Sequence, residues 1–435
     1  MRKFIVCLLS VFVFIPNVWA MDLSLNDAID KIVAESNDLK TADANVKKAK
    51  AQLSAVNANR WMSIDGTVSY MNLIDPVRPF DSNGVQIPSD IGALLGNVLP
   101  LNAIPDNIFS AGVQITQPIY TFGKIGHAVD AVHDAIDMSK SAKDLTLREV
   151  KYAAANLYWT AKMTDEIVTA SQRNLNNARS ARKKLTAAGR ANRSNLLKIE
   201  SDIAAKEINL SDAQFNRDTA YRMLKIMAGI DENEEIILTD NFPEKFEPLE
   251  SKKLESNPEW DIYEKQIKMY ESNAKSKRAG AYPSLAAVGS YSFYSMGTDM
   301  GNMFDKAGSQ SAYWGLALQI PIFSGGLNSA NATIEAMNAE AARQSLDKSK
   351  KLKTEEYNTA VKKYQHLCDD LEKLNNAYDL AQKTYDVSEK RFAAGQTSAV
   401  ELSDVSSALY QMDMALLNAK YNILMSKESV KKLGE

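Results

Sequence analysis

The side chains that most often do chemistry are few in this sequence, and their spacing does not favour a reaction. Histidine occurs only at His127, His133 and His366. His133 and Asp137 stand four residues apart, so one helix face would carry both, and together they could contact a metal ion. A histidine-carboxylate-histidine spacing of the zinc-binding type is absent from the sequence. The pair is therefore interpreted as two solvated side chains, and we expect no metal site.

Two glycine motifs begin like catalytic motifs but are incomplete. Gly123-Lys124 lacks the upstream glycine and the following serine or threonine of a phosphate-binding loop. Ser324-Gly325-Gly326 lacks the glycine that precedes the serine by two residues in a nucleophile elbow. We therefore expect no catalytic residue, no cofactor and no enzymatic activity.

The N-terminus predicts export. Residues 1–20 combine a basic start, an apolar stretch and a small-residue cleavage site, so they are interpreted as a signal peptide, with Met21 as the first mature residue. Cys368 is then the one remaining cysteine, which predicts neither an intrachain disulfide nor a cysteine metal cluster. Lysine and arginine number 51 against 54 aspartates and glutamates, so the chain lacks the basic excess of a nucleic-acid-binding protein.

The chain carries one pattern twice. Four motifs of the first half recur in the same order in the second half. The matched segments are 35–37 with 255–257, 63–70 with 284–291, 117–123 with 320–326, and 187–190 with 393–396. Each half is therefore predicted to run helix, strand, strand, helix. We assign residues 21–228 to the first repeat, 229–257 to a linker and 258–435 to the second repeat.

Long stretches without glycine or proline predict very long helices. Neither residue occurs between Leu327 and Ala394 or between Gln396 and Leu433. Within the first stretch, apolar and aromatic residues recur every seven positions, at Tyr357, Tyr364, Leu371, Tyr378, Tyr385 and Phe392. This heptad spacing predicts antiparallel coiled-coil packing of two helices joined by a turn at Gly395. The alternative is an ordinary bundle of amphipathic helices.

Four short segments alternate between apolar and small polar residues. They are predicted as strands at about 62–72, 110–120, 284–294 and 313–322. One apolar face and one polar face are typical of a barrel wall between lipid and water. Aromatic residues cluster near both ends of the strands, as expected where a wall crosses two membrane interfaces.

Four strands do not close a barrel, because about eight are needed to enclose even a packed interior. An open sheet would leave its edge amides unsatisfied in lipid, and the mature sequence offers no apolar stretch long enough for a membrane helix. The chain is therefore expected to oligomerise. A dimer would give eight strands and little lumen, whereas a trimer would give twelve strands and a pore.

These features resemble the TolC family of outer-membrane efflux proteins. The resemblance rests on the two repeats, on Pro118-Ile119-Tyr120 and Pro321-Ile322-Phe323 before glycine turns, and on the turn at residues 391–398. It covers the chain from Met21 to Leu433. It implies a mixed α/β membrane channel, a homotrimer whose 12-stranded β-barrel in the lipid bilayer of the outer membrane is continuous with a long α-helical periplasmic barrel.

The resemblance also implies partners. A periplasmic adaptor protein and an inner-membrane transporter would deliver small toxic compounds to the channel, and residues 229–257 would form its equatorial belt. Polypeptide (type I) secretion and metal-ion efflux remain alternative functions. Two other classes fit less well: an adaptor would have a single helical hairpin and a compact β-domain, and a fibrous coiled-coil protein would lack the alternating strands.

Finally, the resemblance assigns site residues at the helical turns. Gly189 with Arg190, and Gly395 with Gln396, would form periplasmic tips that dock the adaptor. We expect both glycines to take left-handed conformations that end their helices.

The expected gate lies next to the second tip. Glu401 and Asp404 stand three residues apart, on one helix face, and in a trimer would form two stacked rings of carboxylates that attract cations. The equivalent positions of the first repeat are Asn195 and Lys198, so the acids belong to one repeat. Thr397 stands where the family has an arginine, so the links that close the entrance are expected to differ.

Overall fold

The protein is described by a computed structural model that covers residues 21–72, 107–187, 193–249, 253–297 and 308–434. The predicted signal peptide lies outside these residues. The described residues form seven helices, which are α1 (Leu25–Glu35), α2 (Asn37–Ala58), α3 (Lys124–Ala187), α4 (Arg193–Ala228), α5 (Pro258–Ala279), α6 (Leu327–Ala394) and α7 (Ala399–Gly434). They also form six strands, which are β1 (Met21–Leu23), β2 (Ser63–Asn72), β3 (Asn107–Tyr120), β4 (Ile236–Leu238), β5 (Ser284–Gly297) and β6 (Ser309–Gln319).

The helices α3 and α6 are the equivalent long helices of the two repeats, with 64 and 68 residues. Most of the predicted heptad side chains of α6 are buried, and Tyr378 is partly buried. On α7, Leu402, Leu409 and Ile423 are buried as well. The heptad pattern therefore identified the packed faces of this hairpin correctly. In the part of the chain that the structure describes, no helix is both long and apolar enough to cross a membrane.

The residues divide into two compact units. Of the described residues, one unit contains those within Met1–Asn45, Ser139–Ile262 and Ser345–Glu435, and the other contains those within Val46–Met138 and Tyr263–Gln344. Each unit therefore takes residues from both sequence repeats, because equivalent segments of the two repeats pack beside each other.

The second unit contains an antiparallel sheet in the order β2-β3-β5-β6. Its register pairs Ile64 with Ile115 and Gly289 with Trp314. Since paired residues point to the same side of a sheet, most apolar residues of the four strands share one face, whereas Met71, Tyr294 and Tyr313 lie on the other. Exposed members of this face are Ile64, Val68, Tyr70, Val113, Ile115, Tyr291, Trp314, Leu316 and Leu318. Trp314 alone is 90% exposed, so this face is uncovered in the single chain.

Several strand ends differ from the sequence prediction. The third strand, predicted at 284–294, continues to Gly297. The last strand, predicted at 313–322, spans Ser309–Gln319, and it ends before Pro321, which has no amide hydrogen to donate to a neighbouring strand. The second strand begins earlier than predicted, at Asn107. There the Asn107 side-chain oxygen accepts hydrogen bonds from the Tyr70 hydroxyl at 2.6 Å and from Asn72 Nδ2 at 2.8 Å, which extends the pairing.

In the first unit, one buried tyrosine from each repeat contacts the linker. Tyr158 and Tyr364 are separated by the same 206 residues as Gly189 and Gly395, and both tyrosines are fully buried. Burial raises the pKa of both phenols above the usual value. Equivalent positions of the two repeats therefore perform the same structural task.

The contacts of Tyr158 are the more numerous. Its hydroxyl donates to Asp240 Oδ2 at 2.8 Å and lies 3.1 Å from the carbonyl oxygen of Leu23, while the Asp240 amide donates back to it at 3.1 Å. Asp240 Oδ2 also accepts from the Leu25 amide at 2.7 Å. The hydroxyl of Tyr364 donates to the carbonyl oxygen of Glu247 at 2.7 Å.

Candidate functional site

The turn at Gly395 ends α6 with two backbone hydrogen bonds. The Gln396 amide donates to the Arg391 carbonyl at 2.8 Å, and the Gly395 amide donates to the Phe392 carbonyl at 3.0 Å. Together with a φ of +77° at Gly395, these bonds form a Schellman motif. Only glycine takes this φ without steric cost, and the predicted left-handed conformation of Gly395 is confirmed. The equivalent Gly189 and Arg190 lie outside the described residues.

Ser398 begins α7 by capping it. Its hydroxyl oxygen accepts from the Glu401 amide at 3.1 Å, and its carbonyl accepts from the Leu402 amide at 3.2 Å. Leu402 is buried, whereas Glu401 and Asp404 are exposed. The two predicted gate residues therefore share an exposed helix face close to the turn, and their role remains a prediction.

The sequence did not predict the charged neighbour of Glu401 or the burial of the Thr397 hydroxyl. Arg391 Nη1 lies 3.9 Å from Glu401 Oε1, and both side chains are about half exposed. Such an exposed pair contributes little to stability, typically less than about 1 kcal/mol, but it places a positive charge beside the expected ring. The hydroxyl of Thr397 is buried without a hydrogen-bond partner among the described residues.

An apolar cluster packs four helices together next to these turns. Its buried members are Leu175, Ala178 and Leu185 of α3, Ile199 and Ile203 of α4, Tyr385 and Phe392 of α6, and Ala399, Leu402 and Leu409 of α7. Burial of these side chains fixes the two hairpins against each other by the hydrophobic effect. An ion pair from Lys184 Nζ to Glu389 Oε1, at 2.7 Å, also links the hairpins.

Polar contacts interrupt this cluster between α3 and α7. We name Ser171, Arg173, Asn174, Ser406, Tyr410 and Asp413 the polar seam. The Ser171 and Tyr410 hydroxyls lie 2.9 Å apart, the Ser406 hydroxyl donates to Asn174 Oδ1 at 3.1 Å, and Arg173 Nη2 lies 3.5 Å from Asp413 Oδ2. Burial raises the pKa of Asp413, and the positive charges of Arg173 and Lys420 oppose that rise.

The polar seam was missed by sequence reasoning because its partners are more than two hundred residues apart. One residue could have indicated such a contact. Ser406 follows Leu402 by four residues, so it places a polar side chain on an otherwise apolar face of α7.

The helix α4 has apolar residues on two opposite faces. Ile199, Ile203 and Leu224 are buried. On the other side, an exposed stripe consists of Leu197, Ile208, Phe215 and Ile226. At ~100° per residue these four positions fall on one line along the helix, and Phe215 is 71% exposed. The stripe is therefore without a partner in the described part of the chain.

The aspartate of the pair considered from the sequence, His133 with Asp137, has a lysine beside it in the structure. Asp137 Oδ2 lies 3.5 Å from Lys265 Nζ, so its carboxylate is engaged by a cation. Within the described ranges, no group of three or more histidine, cysteine, aspartate or glutamate side chains is arranged to hold a metal ion.

Comparisons with known proteins extend over most of the chain. The sequence model of the family described as "outer membrane efflux protein" matches residues 28–229 and 249–433. The probable outer membrane lipoprotein SilC of Salmonella typhimurium is 20% identical over 415 residues, which cover 92% of this chain and 83% of that protein.

Two solved structures share the fold of this chain. The CusC structure superimposes with a TM-score of 0.76 at 18% identity, and covers 95% of this chain and 93% of its own. The Campylobacter jejuni CmeC outer membrane channel gives a TM-score of 0.76 at 17% identity, and covers 94% of this chain and 85% of its own.

Proposed function

The chain belongs to the outer membrane efflux protein family, and from this we propose that it is the channel component of a tripartite efflux system. It is an efflux protein of the outer membrane that extends into the periplasm. In the proposed system a periplasmic adaptor and an inner-membrane transporter pass small toxic compounds to the channel, which releases them outside the cell without chemical change.

The observation that carries this proposal is the uncovered sheet. Its outer strands β2 and β6 each pair on one side only among the described residues, and its apolar face is exposed. Unpaired strand edges are costly in lipid, so pairing between copies of the chain is required. Three copies would close a 12-stranded barrel with a lumen.

The exposed stripe of α4 supports the same assembly. A helix that is apolar on two opposite faces is stable in water when both faces are covered. In the proposed trimer, the neighbouring copy covers Ile208, Phe215 and Ile226, the part of the stripe that lies away from the tip. Residues 229–257, to which Tyr158 and Tyr364 bind, are the proposed equatorial belt between the repeats 21–228 and 258–435.

The assembly is tested by measuring the mass of the purified protein in detergent. We expect a trimer for the wild type, and dissociation when Ile208→Glu is combined with Phe215→Glu, because six charges would enter the interfaces of three copies. Lys48→Glu with Lys351→Glu is the control, since both lysines are exposed and lie off the stripe. A stable folded monomer or dimer of the wild type would contradict the architecture.

Efflux is tested in cells. Deleting the gene should increase the accumulation of small toxic dyes, and the wild-type gene should restore their export. The dissociating double variant should not restore it, although the control variant should. If deletion leaves accumulation and sensitivity unchanged, the proposed substrate class is wrong.

The gate proposal concerns Glu401 and Asp404. Exposed on one face of α7, they would form two rings of carboxylates in the trimer, with Arg391 beside the first ring. In a planar bilayer, Glu401→Ala with Asp404→Ala should lower the cation-to-anion permeability ratio by about twofold or more. It should also weaken block by multivalent cations.

The control for this experiment is Asp347→Ala with Glu355→Ala, which removes two exposed acids further along α6. Selectivity and block equal to those of the wild type in the Glu401/Asp404 variant would remove these residues from the gate.

A further inference from the structure

The two tips differ strongly in charge although they occupy equivalent places in the repeat. Within ten residues of Gly395 lie two basic and four acidic residues. Within ten residues of Gly189 lie seven basic residues and no acidic one. The seven are Arg179, Arg182, Lys183, Lys184, Arg190, Arg193 and Lys198. The whole chain has slightly more acidic than basic residues, so this excess is local.

Three of the seven are engaged within the chain. Their ion pairs are Arg179 with Glu207 at 2.7 Å, Arg182 with Glu200 at 3.5 Å, and Lys184 with Glu389 at 2.7 Å. Because each of these pairs is satisfied, the remaining cations decide what else the first tip can bind.

Lys183, Arg193 and Lys198 are exposed, and none of them has an ion-pair partner among the residues that the structure describes. Arg193 and Leu197 stand four apart on α4, so they are neighbours on one face. Leu197 is 58% exposed. We name Lys183, Arg193, Leu197 and Lys198 the basic tip surface. In this surface the apolar side chain of Leu197 is accompanied by charged side chains, and protein interfaces commonly have an apolar centre with a polar rim.

We propose that the basic tip surface docks an acidic protein surface, namely the helical tip of the periplasmic adaptor. The inference rests on the proposed function and adds to it the charge of the partner. A second copy of this chain does not suffice as the occupant. With the three ion pairs set aside, the first tip keeps four cations, and the second tip, without Glu389, keeps a net charge of −1, so pairing between copies would leave a net charge of +3 for each chain.

Complementary charge speeds association and sets the orientation of docking. In a ring of three copies, basic first tips would alternate with second tips that carry Glu401 and Asp404. An adaptor with an acidic tip would then be attracted to first tips and repelled by second tips. The charge difference would therefore fix which of the two positions the adaptor occupies.

The experiment uses the full protein in detergent and two synthetic helical-hairpin peptides that differ only at the tip, one carrying glutamates and the other lysines. Binding is followed by fluorescence anisotropy at several salt concentrations. The wild type should bind the glutamate hairpin at least about tenfold more tightly than the lysine hairpin, and salt should reduce the difference.

The test variant combines Lys183→Glu, Arg193→Glu and Lys198→Glu, and it should reverse the preference. The matched control combines Lys348→Glu, Lys351→Glu and Lys362→Glu, three exposed lysines of α6 away from the tips, and it should retain the wild-type preference. Equal binding of both hairpins by the wild type would overturn the inference, as would a test variant that still prefers the glutamate hairpin.

Detergent mass and bilayer conductance are measured on the same preparations. If the test variant conducts more strongly but binds the hairpins as the wild type does, the basic residues pair with a neighbouring copy, and the inference is wrong. A trimeric, conducting wild type that does not discriminate between the hairpins overturns the inference and leaves the proposed function intact. A wild type that neither trimerises nor conducts contradicts the proposed function itself.

Discussion

Two regions of the first unit, the surroundings of the linker and the polar seam, are stabilised by different interactions. Around the linker, Tyr158 and Tyr364 are fully buried in apolar clusters, and their hydroxyls bind linker atoms. Near the tips, the polar seam joins α3 to α7 through hydroxyl, amide and ion-pair contacts. A buried hydrogen-bonding group without its partner costs about 1–3 kcal/mol, whereas the ion pair of the polar seam includes Arg173, whose side chain is 55% exposed and can replace a lost partner with water. The linker region is therefore expected to tolerate disturbance less well.

The largest effect is expected at Tyr158. Tyr158→Phe removes the hydroxyl that binds the Asp240 carboxylate and the Asp240 amide, and both are left without that partner. We expect a loss of about 2–3 kcal/mol in the free energy of unfolding, because one of the bonds involves a charged group. Chemical denaturation measures it. Tyr357→Phe is the control, since Tyr357 is buried as a residue but its hydroxyl makes no hydrogen bond with the described residues.

A smaller effect is expected at the equivalent position of the other repeat. Tyr364→Phe removes the bond to the neutral carbonyl oxygen of Glu247 and a weak hydrogen bond with the Cys368 thiol, which together should cost about 1 kcal/mol. If the two tyrosine variants lose equal stability by the same denaturation assay, the additional contacts of Tyr158 contribute nothing, and the comparison between the repeats fails.

The smallest effect is expected in the polar seam and depends on pH. Burial raises the pKa of Asp413 above its ordinary value, so the folded state retains this proton at a pH where the unfolded chain has lost it. Stability should therefore fall as pH rises from the unfolded to the folded pKa, and the loss should persist above it. Asp413→Asn should remove this pH dependence and change stability less than Tyr364→Phe does.

This prediction is tested by measuring the free energy of unfolding of the wild type and of Asp413→Asn between pH 3.5 and 7, about the span in which carboxyl groups titrate. Asp379→Asn, at an exposed acid of α6, is the control. If the contribution of Asp413 to stability instead grows with pH, the Arg173 ion pair lowers the pKa of Asp413 more than burial raises it. The polar seam would then resemble the linker region.

Periodicity made much of the fold predictable. Tyr364 and Phe392 lie on a heptad and are buried, and Ile64 and Trp314 alternate with polar neighbours and lie on the apolar sheet face. The end of α6 was predictable because Gly395 interrupts a long stretch that lacks glycine and proline. The same alternation made the predicted end of β6 too late. Ile320 continues the alternating pattern, but the strand ends at Gln319, just before Pro321.

Contacts between distant segments were not predictable in the same way. Nothing near Tyr158 in the sequence indicates Asp240, and nothing near Arg173 indicates Asp413. These pairs depend on how the helices stack, which a local pattern does not encode. The net charge of each tip, by contrast, is readable directly from the sequence, and the structure adds which cations are already paired.

The short parallel pairing of β1 with β4 also constrains the order in which the chain folds. Met21 pairs with Ile236, and the Leu25 amide bonds to Asp240 across 215 residues. Contacts between such distant segments form slowly, because a long loop must close first. A polypeptide that enters the periplasm from its N-terminus would therefore hold β1 unpaired until more than half of the chain had arrived. Leu23, fully buried in the finished fold, would remain exposed to water during that interval.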